Sequence, residues 1–434
     1  MMNYVISKFK NNISLLSITI TLLPISIIIG NLFINFSCLL IIILGVKKFN
    51  QEFIKYLSLF KFHLAILLVF FILNISFTSD YVLTLKGILG LIKYILLSSI
   101  IFFWLKNNKN NLFIFLFSIL FCVLLVATSI YIEFFIKLFY LHVLWDGAFN
   151  QGELDMYLRT FDRFSGIFFD EKVAGSFISK FLIGILVFLV LDIKKLKLNR
   201  KIIYLIVGLC FFGILLSFDR SPFILSCIGL SFFLFFTNKI KFFSKFIIVV
   251  TGIIIIIASY NFSPQIKLKV NYTFYELGFS TFEKASPKKI NFLETKYGSH
   301  FITAYEMGKK NFIIGNGIKT FGKDCGKDEF LSKKFNQGSK AKRCATHPHN
   351  IYLQLFAEAG ILGLLIFLYF HFIILKKTFS NKNKELKIIS LTMIIILFLP
   401  LQTSGSYFST FSGIFYFLNI SIINFLNNKK KIIF

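Results

Sequence analysis

The chain has 434 residues, 56% of them hydrophobic and 18% aromatic, with a mean hydropathy of +0.76. That is too apolar for a soluble domain of this length, so the composition excludes one and points to a polytopic membrane protein. A formal net charge of +28 would suit nucleic acid, yet the lysines stand mostly in short clusters between apolar stretches, where they orient loops, and no nucleic-acid partner is expected.

A membrane-crossing helix needs roughly 20 apolar residues, fewer where flanking lysines snorkel. By that measure the chain predicts about twelve spans, at 13–30, 31–46, 62–77, 82–105, 112–132, 172–191, 202–217, 222–237, 246–260, 350–374, 388–403 and 408–426. The first follows Lys8 and Lys10 in the manner of a signal peptide, but it has no clear small-residue cleavage site and further spans follow at once, so it reads as the first transmembrane helix. Basic segments fall at 47–61, 106–111, 192–201, 237–245, 376–387 and 427–434. With twelve spans all of these share the side of the N-terminus, which makes that side cytoplasmic and places both termini there.

Residues 1–434 therefore read as a single integral membrane domain, all α-helical, with two sizeable segments on the other side. The first is 133–171. The second is a large loop at 261–349 between the ninth and tenth helices, partly helical because 292–310 is amphipathic at helical spacing. The large loop holds sixteen Lys or Arg against seven Asp or Glu, which implies either an anionic partner outside the cytoplasm or a surface facing lipid headgroups. Cys38, Cys122, Cys210 and Cys227 lie in spans, where a thiol is a small apolar filler. Cys325 and Cys344 both lie in the large loop and are placed to form a disulfide if that compartment is oxidising. A metal site is disfavoured, because no carboxylate cluster joins the only close histidines, His347 and His349.

The stretch HPHNIYLQLFAEAGILG (347–363) concentrates the polar signal. Asn350 is a good N-cap for the tenth span, which puts His347 and His349 at its entrance. Asn350, Gln354 and Glu358 then form a polar stripe on one face. Glu358 would lie about 12 Å below the cap, a depth at which a carboxylate needs a partner; a structural hydrogen bond is the plain reading. Gly360 and Gly363 are expected to let a neighbouring helix pack closely. RFSGIFFDEK (163–172) sits at the outer entrance of the sixth span and SFDRSP (217–222) in the short outer turn between the seventh and eighth, so Arg163, Arg220 and His349 share one membrane face. Arginine in a lysine-dominated chain suggests fork geometry toward phosphate or carboxylate. For Arg220 an ion pair with Asp219 or an interfacial snorkel is a nearly equal reading, and for Arg159 such a plain reading is slightly the better one.

At these residues, together with GNGIKTF (315–321), the sequence resembles the O-antigen ligase and O-antigen polymerase superfamily of bacterial envelope enzymes. The pattern is a histidine-asparagine entrance, a glutamate further down the helix and a Gly-x-x-Gly after it. Where family members often read Ser-Arg-Gly, this chain has Asp219-Arg220-Ser221; the arginine survives the change. The resemblance implies an enzyme of the inner membrane that transfers a glycan, with inversion and without metal or other cofactor, from undecaprenyl diphosphate to an acceptor hydroxyl at the periplasmic face. The two outer segments become periplasmic. In ligases the acceptor is the lipid A-core of lipopolysaccharide; in polymerases it is another lipid-linked repeat unit. By the same resemblance His349 is the general base, Arg163 and Arg220 bind the diphosphate, and Asn350, Arg159 and His347 bind substrate. Gln354 and Glu358 support them from below.

The residues admit two other readings. A metal-dependent glycosyltransferase would want an acidic pair on an outer loop, where only Glu153-Leu154-Asp155 offers one. An exporter or flippase of lipid-linked sugars fits the span number but predicts titratable residues spread through the spans and internal repeats, whereas the polar groups here collect at one face.

Overall fold

The structure, a computed structural model, describes residues 14–59, 61–144, 163–190, 200–262, 264–276, 291–332, 343–400 and 405–428. Its regular elements are helices. The main ones are α1 (Leu15–Ile29), α2 (Asn31–Leu59), α3 (Lys61–Ser76), α4 (Tyr81–Asn107), α5 (Lys109–Leu144), α6 (Ala174–Val190), α7 (Arg200–Leu216), α8 (Arg220–Phe236), α9 (Phe242–Phe262), α10 (Pro264–Glu276), α11 (Lys296–Lys310), α12 (Ile351–Phe379), α13 (Lys384–Phe398) and α14 (Thr410–Leu426). A helix stands at each of the twelve expected span positions. Five stretches, Asn31–Lys55, Tyr81–Asn107, Asn110–Lys137, Phe242–Phe262 and Ile351–Phe379, are long and apolar enough to cross a membrane by themselves; six further apolar helices are shorter.

Helix limits follow local chemistry. The side chains of Ser14, Asp80, Thr295, Asn350, Asn383 and Ser409 each accept backbone N–H groups at helix starts, satisfying donors that the first turn leaves free. Gly30, at φ +130°, separates α1 from α2 in a conformation open to glycine. Two helices overrun their expected ends. α2 continues through the basic stretch after residue 46, kinked at Phe49, and α5 runs twelve residues past 132 to Leu144. Neither extension contains proline or glycine, so nothing in the sequence stops the helix where hydrophobicity falls. The amphipathic stretch of the large loop forms α11, with Phe292–Glu294 as a 3-10 turn before its Thr295 cap.

The centre of the bundle is α6, whose residues are buried all round except Lys180, and α14, which is nearly as enclosed. A helix apolar on every side belongs in the interior. Phe177 and Phe181 of α6 meet Phe415 of α14 at ring distances of 5.5 and 4.6 Å. α14 also lies along α4, where Ser421 Oγ donates to the Ser98 carbonyl at 3.1 Å and the Tyr94 ring stacks on Phe417 at 5.9 Å. α1 and α2 pair as a hairpin outside this core, α5 packs on α6, α7 and α1, and α11 lies against α12. α9 buries no residue and packs on α10.

Candidate active site

The site is assembled from four short segments contributed by or joined to α5 to α8, α11 and α12. The first runs from Arg163 to Glu171. Glu133, near the end of α5, accepts the backbone N–H of Ser165 at 3.0 Å and of Gly166 at 2.7 Å, while Ser129 Oγ accepts that of Ile167 at 3.1 Å. Gly166 at φ +54° lets the chain fold this tightly over α5, since a Cβ there would collide with Ser129. Phe164 is buried between Phe134 and Phe218, at 5.7 and 5.2 Å, and its backbone N–H donates to the Ser217 carbonyl at 3.2 Å. Those contacts dock Arg163 against the second segment, the Ser217–Asp219 turn.

In that turn Phe218 takes φ +54°, a left-handed conformation that a bulky residue adopts only when its surroundings impose it. Asp219 is buried, 3.8 Å from Arg163 and 3.4 Å from the donating hydroxyl of Ser176. Burial pushes its carboxyl up to about 6, although the positive charges of Arg163, Lys180 and Arg220 pull the other way. Arg220 follows as the first residue of α8. Lys180 lies about 9 Å along α6 from Ala174 at the helical rise, and its ammonium sits 5.1 and 5.2 Å from the Phe411 and Phe415 rings.

The third segment carries the histidines. His349 holds φ +59°, between Pro348 and the cap residue Asn350. Its ring is 4.2 Å from that of His347 and stacks on that of His300 at 5.6 Å; Tyr297 meets it edge-on at 5.2 Å. His300 and Tyr297 come from α11, the fourth segment. Thr346 Oγ1 and His347 Nδ1 are hydrogen-bonded at 3.0 Å, whereas His347 Nε2 and both nitrogens of His300 are buried without a hydrogen bond of good geometry. Burial forces all three rings neutral, at about 4 for His300 and His347 and about 3 for His349, helped by the charge of Lys296 at His300 and by the neighbouring histidines at His347 and His349. The positive charge of Arg163 contributes to the depression at His349, and that of Lys180 to the one at His347. Among the described residues no group of three or more His, Cys, Asp or Glu side chains is arranged to hold a metal ion.

Beneath the histidines the polar stripe is structural. Glu358 Oε1 accepts the backbone N–H of Phe321 at 2.9 Å, and its Oε2 accepts from Gln354 Nε2 at 3.1 Å. Gln354 also donates to Ser406 and accepts the Tyr407 N–H at 3.1 Å, tying α12 to the approach to α14. At Gly360, φ +64°, α12 is broken, and the chain 312–317 closes on the break: Ile361 and Leu362 donate to the Phe312 and Ile313 carbonyls, and Asn316 and Gly317 donate to those of Ala357 and Glu358. Asn74 of α3 bridges the two, donating to the Ile314 and Glu358 carbonyls at 2.8 and 3.1 Å and accepting the Ile318 N–H at 3.0 Å. Gly360 therefore serves a helix break where simple helix packing was expected; Gly363 does admit a neighbour, Phe70 of α3. Cys325 and Cys344 are joined as a disulfide, Cα to Cα 5.3 Å, just before the histidines.

Of the residues singled out in the sequence, His347 and His349 stand ring to ring before the cap residue Asn350, Arg163 pairs with Asp219, the residue before Arg220, and Gln354 and Glu358 follow along α12. Arg159 and the Glu153-Leu154-Asp155 stretch lie outside the described residues. His300, Tyr297, Lys180, Glu133 and Asn74 escaped the sequence reading. Lys180 carried a usable signal, being an ionisable residue inside a span; His300 carried none beyond its place on an amphipathic helix.

Residues 205–368 match the family model described as O-antigen ligase. The matched stretch takes in the Asp219-Arg220 turn, His300, the histidine entrance and Glu358, and leaves Arg163 and Lys180 upstream. No curated protein matches the chain.

Proposed function

We propose that the chain, whose residues 205–368 match the O-antigen ligase family model, transfers a glycan from undecaprenyl diphosphate to the lipid A-core at the periplasmic face of the inner membrane. The observation that carries the proposal is a neutral His349 within reach of the charge of Arg163, which itself pairs with Asp219 next to Arg220.

The chemistry follows from those groups. Arg163 and Arg220 bind the donor diphosphate and stabilise the charge that grows on it as its bond to the anomeric carbon breaks. An acceptor hydroxyl attacks that carbon from the opposite side; the breaking C–O electron pair goes to the diphosphate oxygen and the hydroxyl proton goes to His349. Attack opposite the leaving group inverts the anomeric centre. His349, at about 3, is by itself a poor base. A bound diphosphate, with its negative charges, offsets the positive charge of Arg163 and raises the imidazole toward the range in which it accepts a proton. The donor thereby activates the base. Side-chain cations take the part that a metal ion plays in other glycosyltransferases.

The test is transfer by purified protein in detergent, with an undecaprenyl-diphosphate glycan as donor and either lipid A-core or a second lipid-linked repeat as acceptor. Product on the core that disappears in His349→Ala supports the ligase reading. Elongation of the carrier-linked glycan would make the protein a polymerase instead. Movement of the donor between liposome leaflets with neither product would replace the enzyme by a transporter.

A further inference from the structure

Asp219 stands where the family pattern often has serine, and the structure brings its carboxylate to the cations of the site. It lies 3.8 Å from Arg163, precedes Arg220 directly, and is reached by the charge of Lys180 from α6. Burial fixes it there: the residue is 3% exposed, Ser176 donates to its Oδ2 at 3.4 Å, and Ser217 Oγ accepts its backbone N–H at 3.3 Å. A buried carboxylate among three cations does what a bound anion would do, since it relieves their mutual repulsion.

Resting on the donor-diphosphate reading above, we propose that Asp219 is a built-in counter-anion that competes with the donor diphosphate for Arg163, so that donor binding exchanges one anionic partner of the arginine for another. The exchange weakens donor affinity. It also gives the arginine a partner to return to when the diphosphate carrier leaves, which favours product release.

A residue that only held Arg163 in position would behave in the opposite way, because its removal would loosen the arginine and weaken the donor. The experiment is a calorimetric titration of inorganic diphosphate into the full-length protein in detergent, wild type against Asp219→Asn, with donor KM and kcat measured on the same samples. Asparagine keeps the size of the side chain and its contact with Ser176 while removing the charge; Asp219→Ser repeats the test with the commoner residue. Asp328→Asn, which removes an exposed carboxylate of the large loop, serves as the control.

The expected result is diphosphate binding tightened roughly tenfold in both Asp219 variants, a lower donor KM with kcat unchanged or reduced, and less than about a twofold change in the control, as close charge pairs and distant screened ones respectively affect binding. Affinity unchanged or weakened in Asp219→Asn, with wild type binding normally, overturns the counter-anion and leaves the donor reading standing. Absence of diphosphate binding in wild type and variants alike overturns the donor reading and the inference together.

Discussion

His349 illustrates how one side chain acquires its chemistry from neighbours that the sequence does not place beside it. Its imidazole is depressed to about 3, first by burial and then by His347, His300 and Arg163. His349→Ala should lower kcat by roughly 10²- to 10⁴-fold, the usual contribution of a general base, with little change in donor KM. Arg163→Lys keeps the charge but loses the fork, and should lower kcat/KM for the donor by roughly tenfold in the transfer assay. The histidine trio also sets a pH dependence of stability. Unfolded, these rings titrate near their ordinary 6.5; folded, at about 3 to 4. Between those limits the unfolded state binds more protons, so stability is intact above about 6.5 and is lost as pH falls toward 4. Thermal unfolding in detergent should give a lower midpoint at pH 5 than at pH 7, and His300→Phe, which removes one of the three titrating groups, should narrow the gap.

At the scale of elements, the decisive feature is the junction where α12 breaks at Gly360 and the segment 312–321 closes over it. The sequence showed a glutamate in a span and its need for a partner, but the partner proved to be a backbone N–H, that of Phe321, in a loop 37 residues earlier. Asn74 was silent in the sequence because an asparagine among apolar residues carries no periodic signal, and its three hydrogen bonds all reach residues at least 240 positions away. Asn74→Ala leaves those backbone groups buried and unpaired. It should cost about 2–4 kcal/mol, read as a fall in the unfolding midpoint. Glu358→Gln should destabilise less but measurably, because an amide can face either the Phe321 N–H or the Gln354 amide with its oxygen, not both. In either variant the loss of activity should follow the loss of folded protein, in contrast to His349→Ala, which should unfold at the wild-type temperature.

For the whole molecule, the arrangement to test is the sidedness of the membrane. Single cysteines replacing Lys239 or Lys382 should be labelled by an impermeant thiol reagent only after the membrane that holds the protein is opened, whereas those at Lys172 or Asp328 should be labelled without it. The opposite pattern would invert the protein and move the histidine entrance to the cytoplasm. An oxidising outer compartment also bears on the Cys325–Cys344 link, which closes a separation of 19 residues ahead of His347. Replacing both cysteines by serine should cost about 3 kcal/mol on loop-entropy grounds, and reductant should lower the wild-type unfolding midpoint but not that of the double variant. Composition, the twelve helix positions, the capped entrance at Asn350 and the carriers of the family pattern were all determined by the sequence alone, because hydrophobicity, capping and motif spacing are local properties. The stacking of His300 on His349, the meeting of Asp219 with Arg163, the Asn74 bridge and the break at Gly360 were decided only by the tertiary structure. Each of these joins segments far apart in the chain, and which polar groups meet there depends on how the helices pack, a quantity to which no local window of sequence has access.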